Sequence, residues 1–216
     1  MSVDFSTKPQ SEFIGGAFAY FFRQLAVAIG SAVTLGLLSP ILICWQRRWV
    51  ASHTYIDGRQ QVFDGKASDI FGKYILWLLL SYITLGIYMF WFTVKMQRWL
   101  TEHTHFADGA ATDDSSHFDG TVLGYFGRSL LVGVVIYITL GFGAFWGVCY
   151  MQRWSASNTV IDGKRLKFDG GGLELFGQYL IWMLLTIVTL GIFSFWLPAK
   201  VLRWTVSRTQ IDKYVP

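Results

Sequence analysis

The sequence predicts an all-α integral membrane protein made of four repeats, each of about 50 residues. Hydrophobic residues make up 53% of the chain and aromatic residues 18%, whereas only 15% are charged. Soluble chains carry about 25% charged residues, and a soluble chain with this composition would expose large apolar patches. The positive charges lie beside apolar segments rather than in one block, so nucleic acid is not a predicted partner.

The repeat is visible as motifs in constant register. Thr-Leu-Gly begins at Thr34, Thr84, Thr139 and Thr189, and Arg-Trp begins at Arg48, Arg98, Arg153 and Arg203, both with spacings of 50, 55 and 50 residues. Phe-Asp-Gly opens the last three repeats, where the first has Phe13-Ile14-Gly15. We therefore divide the chain into a polar N-terminal tail at 1–12 and repeats at 13–62, 63–117, 118–167 and 168–216.

Each repeat contains one run without charged residues. The runs cover residues 24–46, 74–94, 129–152 and 175–199, and a spanning helix needs about 20 apolar residues. Each run thus predicts one transmembrane helix. Thr-Leu-Gly lies near the middle of each run, where Thr can bond back to the preceding turn and Gly loosens the helix. We expect a kink there, near the bilayer midplane.

The polar part of each repeat predicts two further elements. After each run the chain becomes amphipathic, which suits a short helix in the headgroup layer. Asp57-Gly58 and Asp162-Gly163 then stand between short β-prone segments, and Asp-Gly in that setting is a strong hairpin signal. A short β-hairpin-like loop is therefore expected after the interfacial helix.

A second interpretation of the runs stays open. The two faces of a four-crossing protein would carry nine Lys and Arg residues each, so the positive-inside rule gives no orientation. Each run could instead fold back at Thr-Leu-Gly as a re-entrant hairpin, with arms of about 16 Å and all charge on one face. Four crossings are preferred, because a lipid-exposed turn at that depth leaves backbone groups unsatisfied.

The second repeat carries a pattern that resembles a known family. Phe63-Asp64-Gly65 and Phe71-Gly72 precede its apolar run, and the run contains Thr84 to Tyr88. The pattern continues with Trp91, Lys95, Arg98-Trp99 and His103-Thr104. It is similar to the YjgN-like family of bacterial inner-membrane proteins of uncharacterised function. The resemblance implies a multi-pass protein of the bacterial cytoplasmic (inner) membrane, and it supplies no catalytic or ligand-binding residue.

Two sets of repeated residues are candidate functional positions. The first set is a candidate midplane kink or path: Thr34, Gly36, Thr84, Gly86, Thr139, Gly141, Thr189 and Gly191. Broken helices can expose carbonyl groups to a solute, although small residues also simply let helices pack closely. The second set comprises candidate lipid-headgroup anchors: Arg48, Trp49, Arg98, Trp99, Arg153, Trp154, Arg203 and Trp204. Arg near a membrane surface binds anionic lipid or serves as an ordinary boundary anchor.

No known catalytic motif stands out. The sequence has no recognisable nucleophile constellation, phosphate-binding glycine loop or zinc spacing, so we predict no enzyme, no cofactor and no metal site. The predicted role is structural or accessory, through membrane lipids, a membrane protein partner or a homo-oligomer. A small channel or carrier is the alternative, but the runs lack the ionisable residues that usually mark transport paths.

Overall fold

The computed structural model describes residues 11–109 and 116–212. Most of the predicted tail at 1–12 lies outside these residues. Each unit runs strand, helix, helix, strand. The helices are α1 (Ala17–Val33), α2 (Ser39–Ser52), α3 (Ala67–Ile83), α4 (Met89–Glu102), α5 (Val122–Ile138), α6 (Ala144–Ser157), α7 (Gly172–Val188) and α8 (Leu197–Ser207), with a 3-10 helix at Ile192–Phe195. The strands are β1 (Glu12–Phe13), β2 (Thr54–Ile56), β3 (Arg59–Phe63), β4 (Thr104–Phe106), β5 (His117–Phe118), β6 (Thr159–Ile161), β7 (Lys164–Phe168) and β8 (Thr209–Ile211).

Every apolar run is divided into two helices at Thr-Leu-Gly. Among the helices of residues 11–109 and 116–212, none combines the length and the apolar character that crossing a bilayer requires. The prediction of one kinked transmembrane helix over each of 24–46, 74–94, 129–152 and 175–199 is therefore wrong. The prediction of a multi-pass protein in the bacterial cytoplasmic membrane is wrong for the same reason.

The division has a local cause in the backbone of the turn. Leu35 and Gly36 both have positive φ angles, 49° and 85°, a conformation that ends a helix. Gly36 N–H donates to the Ser31 carbonyl at 2.7 Å, and Leu35 N–H donates to the Ala32 carbonyl at 3.3 Å. Thr34 Oγ1 accepts from Leu38 N–H at 3.3 Å, so its side chain bridges the turn between the two helices. The same turn occurs in all four units.

The two helices of a unit pack against each other in opposite directions. A Cβ added to Gly30 of α1 would lie 2.6 Å from Leu42 of α2, and Ser39 Oγ lies 2.8 Å from Ser31 Oγ. In the third unit, Gly147 approaches Val132 equally closely. Small residues thus allow close contact between the arms. Folding back at Thr-Leu-Gly, the interpretation we ranked second, is the backbone path observed.

The polar segments form two antiparallel four-stranded sheets, in the orders β1-β2-β3-β4 and β5-β6-β7-β8. Tyr55 pairs with Gln60 across a turn at Asp57 and Gly58, whose φ angles of 49° and 77° are those of a type I′ turn. Hairpins are therefore present at both Asp-Gly dipeptides. The all-α prediction is wrong, because β1, β4, β5 and β8 extend each hairpin into a sheet.

Two aspartates of the hairpin turns join the sheets to each other. Ile211 N–H donates to Asp57 Oδ2 at 2.7 Å, and Phe106 N–H donates to Asp162 Oδ2 at 2.6 Å. Each carboxylate therefore satisfies a backbone donor at the end of the other sheet. Buried side chains from both halves, including Ile56, Phe106 and Ile161, fill the space between the sheets and the helices.

Arginine side chains link the four units into a closed ring. The guanidinium of each Arg-Trp motif donates to the glycine carbonyl that opens the next unit: Arg48 to Gly65 at 3.1 Å, Arg98 to Gly120 at 3.4 Å, Arg153 to Gly170 at 3.1 Å and Arg203 to Gly15 at 2.8 Å. The last of these bonds joins the fourth unit to the first. The ring thus has an approximate fourfold arrangement of helical hairpins around a central axis.

The Arg203 bond to Gly15 makes the closure testable. We expect Arg203→Met to lower the free energy of urea unfolding by about 1.5–3 kcal/mol, since the bond is charge-assisted. Lys167→Met is the control, because Lys167 contributes only an exposed ion pair with Asp169 at 3.7 Å, worth below about 1 kcal/mol. Equal losses in the two variants would contradict a special role for the closing arginine.

Candidate functional site

The outer ends of the four hairpins present a repeated apolar surface, which we call the tip cluster. It consists of Val33, Leu35, Leu37, Ile83, Leu85, Ile87, Ile138, Leu140, Phe142, Val188, Leu190 and Ile192, each of which is more than half exposed. The leucines of Thr-Leu-Gly are 72% to 94% exposed. The hairpins lie side by side around the ring, and Tyr82 of the second donates to the Leu35 carbonyl of the first at 3.4 Å. The tips therefore form one face of the molecule.

The tip leucines occupy a backbone conformation that leucine avoids. All four have φ angles between 49° and 51°, and this left-handed region costs an L-residue about 1–2 kcal/mol relative to a right-handed helical conformation. Glycine commonly stands at such a position. Leucine here combines backbone strain with an exposed apolar side chain, and neither is favourable in water.

The turns satisfy their own backbone N–H groups. In the second unit Leu85, Gly86 and Ile87 N–H groups donate to the Tyr82, Ser81 and Thr84 carbonyls at 3.2, 2.8 and 3.1 Å. The next N–H, that of Tyr88, donates to Thr84 Oγ1 at 2.9 Å. These donors therefore need no water. A turn surrounded by lipid is disfavoured by the cost of unpaired backbone groups, and the Thr-Leu-Gly geometry removes that cost for these N–H groups.

The apolar part of each hairpin has a defined length. Arg23, Lys73 and Arg128 each precede the last residue of their helix by ten residues, which corresponds to about 15 Å at 1.5 Å per residue. The hydrocarbon core of a bilayer is about 30 Å thick. The zone between these cations and the tips therefore matches the depth of about one leaflet.

Cations stacked on aromatic rings mark the lower border of this zone. The Arg23 guanidinium lies 4.1 Å from the Trp45 ring centroid, and that of Arg128 lies 5.3 Å from the Trp154 ring. Lys95, which lies closer to the tips along its helix, donates to Tyr88 Oη at 2.8 Å. Such contacts reduce the cost of holding a cation beside apolar surface.

The positions predicted from the sequence fall in two different places. The Thr-Leu-Gly residues lie in the tip turns, not at the centre of a spanning helix, and their role as the lining of a path stays a prediction. The four Arg-Trp arginines donate to glycine carbonyls within the ring. The paired tryptophans pack edge-on against the first Phe of their own unit, at centroid distances of 5.7–5.9 Å. Their binding of lipid headgroups also stays a prediction.

Arg23 and Arg128 were not singled out by the sequence motifs. They are separated by the 105-residue offset that relates the two halves of the chain, so a comparison of halves, rather than of single units, would have paired them. Within residues 11–109 and 116–212, no three His, Cys, Asp or Glu side chains come together as metal ligands.

The model of a family described as "Bacterial protein of unknown function (DUF898)" matches the chain twice, over residues 59–112 and 163–214. Each match begins within a hairpin turn or just after it and runs through one complete pair of helices. The match confirms the predicted resemblance to the YjgN-like family. No curated protein and no solved structure matches the chain.

The strained tip leucines predict an unusual response to mutation. Leu85→Gly should leave the free energy of unfolding unchanged or raise it by up to about 1 kcal/mol, because glycine relieves the left-handed strain while making the unfolded chain more flexible. Gly86→Ala, at φ 90°, should instead destabilise the protein by about 1 kcal/mol or more. Thermal unfolding of both variants checks this. A clear loss of stability in Leu85→Gly would mean that the leucine side chain makes stabilising contacts within the protein.

Proposed function

We propose that this protein, a member of the bacterial YjgN-like family, inserts its four hairpin tips into one leaflet of a lipid bilayer and acts there as a structural or accessory protein. The observation that carries the proposal is the tip cluster, whose exposed apolar side chains stand on turns that satisfy their own backbone N–H groups. The protein would enter the bilayer from one side and would not cross it.

The extent of the apolar surface favours lipid as its occupant. Exposed apolar side chains continue from the tips down the arms of the hairpins, as in Leu76, Leu79, Leu130, Leu131, Ile181 and Leu184. A protein partner usually buries one patch with a polar rim, whereas hydrocarbon covers an apolar body from all sides. The aromatic-stacked Arg23 and Arg128 then fit the level of the headgroups.

The energy of insertion is sufficient for stable binding. Complete burial of a large aliphatic side chain contributes about 1.5–3 kcal/mol, so the partly exposed side chains of the tip cluster together supply on the order of 15 kcal/mol. A single myristoyl chain binds membranes only marginally. The tip cluster buries more apolar surface than one such chain, so no lipid modification is needed to hold the protein in a leaflet.

A second copy of the chain is the competing occupant. Two rings meeting tip to tip would bury the tip leucines against one another and form a homo-oligomer. Such contact would still leave the sides of the arms exposed, including Leu130 and Ile181. Lipid covers both regions at once and is therefore the occupant we propose.

The first test replaces the tips. A variant carrying Leu35→Ser, Leu85→Ser, Leu140→Ser and Leu190→Ser should lose most of its co-flotation with phosphatidylglycerol-containing vesicles, because the deepest side chains become polar. The matched control is Leu123→Ser with Leu173→Ser. These leucines are 80% and 71% exposed but lie in the first turns of α5 and α7, at the opposite end of the hairpins. Equal flotation of the tip variant and the control would refute insertion through the tips.

The second test measures depth. Leu85→Cys labelled with a fluorophore should be quenched most strongly by lipids whose nitroxide lies near the end of the acyl chain, since the tip is expected near the bilayer centre. Cys44 and Cys149 are buried and burial raises the pKa of both thiols, so the introduced thiol reacts first. Stronger quenching by nitroxides at the headgroup would overturn the proposal. So would sedimentation of the protein as a tip-to-tip dimer that does not bind vesicles.

A further inference from the structure

A polar cavity of about 190 Å³ lies where the four units meet. Residues of every unit line it, and its polar lining includes Gln61, Gln97, Gln152, Thr104, Thr159 and Thr209. The lining contains no Asp or Glu residue among the parts of the chain that the structure describes. The cavity therefore offers hydroxyl and amide groups without negative charge.

Arg47 is the one cation among the lining residues that the structure describes. Its side chain is exposed, so it is open to a ligand. No hydrogen bond or ion pair joins the Arg47 side chain to any residue within 11–109 or 116–212. An arginine without an anionic partner, beside amide and hydroxyl groups, offers an anion charge-assisted hydrogen bonds.

A larger groove of about 530 Å³ adjoins the cavity between α4, α5 and α6. The groove and the cavity share Gln97, Gln152 and Ser155 in their linings. The remainder of the groove is mostly apolar, with Val94 and Ile136 among its residues. An apolar compartment thus leads to a polar one that holds a positive charge.

The third unit opens the groove at Gly133. Gly133 stands where the second and fourth units have Leu78 and Met183. It lines the groove, and a Cβ added to it would meet no atom within 4 Å. The groove is therefore a specific departure of one unit from the repeat.

We infer that the groove and the cavity together bind a single-chain anionic amphiphile, with its acyl chain in the groove and its anionic head on Arg47. Arg pairs with carboxylate or phosphate through charge-assisted hydrogen bonds, and the neighbouring amide groups of Gln97 and Gln152 supply further donors. The groove is within the size range of small-molecule sites in proteins. This binding does not require the tips to enter a bilayer.

The test uses cis-parinaric acid, a fluorescent fatty acid, and its uncharged methyl ester, titrated into the full chain below their aggregation concentrations. Arg47→Gln should weaken binding of the acid by about tenfold or more and leave the ester unchanged. This variant should fold, because Gln97 and Gln152 occupy the same position in the second and third units. Lys167→Gln, which removes an exposed charge outside both linings, is the control.

Gly133→Leu tests the groove separately. It should weaken both acid and ester by about tenfold, since a leucine side chain fills space that several methylenes would occupy. Gly127→Leu is the matched control, because Gly127 lies in the same helix and a Cβ there also meets nothing within 4 Å. Lysophosphatidic acid and inorganic phosphate, added as competitors, distinguish an amphiphile from a free anion.

Three results would overturn the inference. These are the absence of saturable binding to the unaltered chain, equal effects of Arg47→Gln on the acid and the ester, and equal binding by Gly133→Leu and Gly127→Leu. Displacement of the probe by inorganic phosphate alone would show a free-anion site and would refute the acyl-chain half of the inference.

Discussion

The structure depends on one repeated interaction, the hydrogen bond from an arginine guanidinium to the glycine carbonyl of the next unit. The acceptor glycine lies between the Phe and Trp rings of its own unit. At Gly15 an added Cβ would lie 2.3 Å from Phe13 and 2.8 Å from Trp49. Only glycine fits at this position, because a side chain would overlap these rings. The Phe-x-Gly and Arg-Trp motifs thus form the two sides of each junction. Both motifs repeat along the chain because every contact between units needs both.

The junctions separate the molecule into a polar base and an apolar upper part. The sheets, the Asp57 and Asp162 links and the arginine bonds all lie at the base, whereas the hairpins project from it and expose their apolar side chains. A rigid base can hold strained turns at the tips, because the packing of the arms, not the turn itself, determines the backbone path. The tip leucines keep their left-handed backbone conformation because the surrounding packing fixes it.

The sequence supported the local features of this fold better than its long-range path. The Asp-Gly turns formed as their residue types require. The sequence favours a continuous helix over a fold-back at Thr-Leu-Gly, because a turn whose central residue is leucine does not interrupt a run of apolar residues. Pairing of β1 with β2 and of β3 with β4 joins segments about forty residues apart, which no local pattern reveals. No sequence motif marks Arg47, because the cavity that it lines exists only in the assembled ring.

The closing bond between Arg203 and Gly15 has a consequence for the origin of the fold. It has the same donor and acceptor as the bond between Arg98 and Gly120 in the middle of the chain. A chain of half this length would end with a free arginine donor and begin with a free glycine acceptor. Two such half-chains could therefore close the same ring as a homodimer. The present chain has the geometry expected if an ancestral pair of identical subunits became fused by gene duplication.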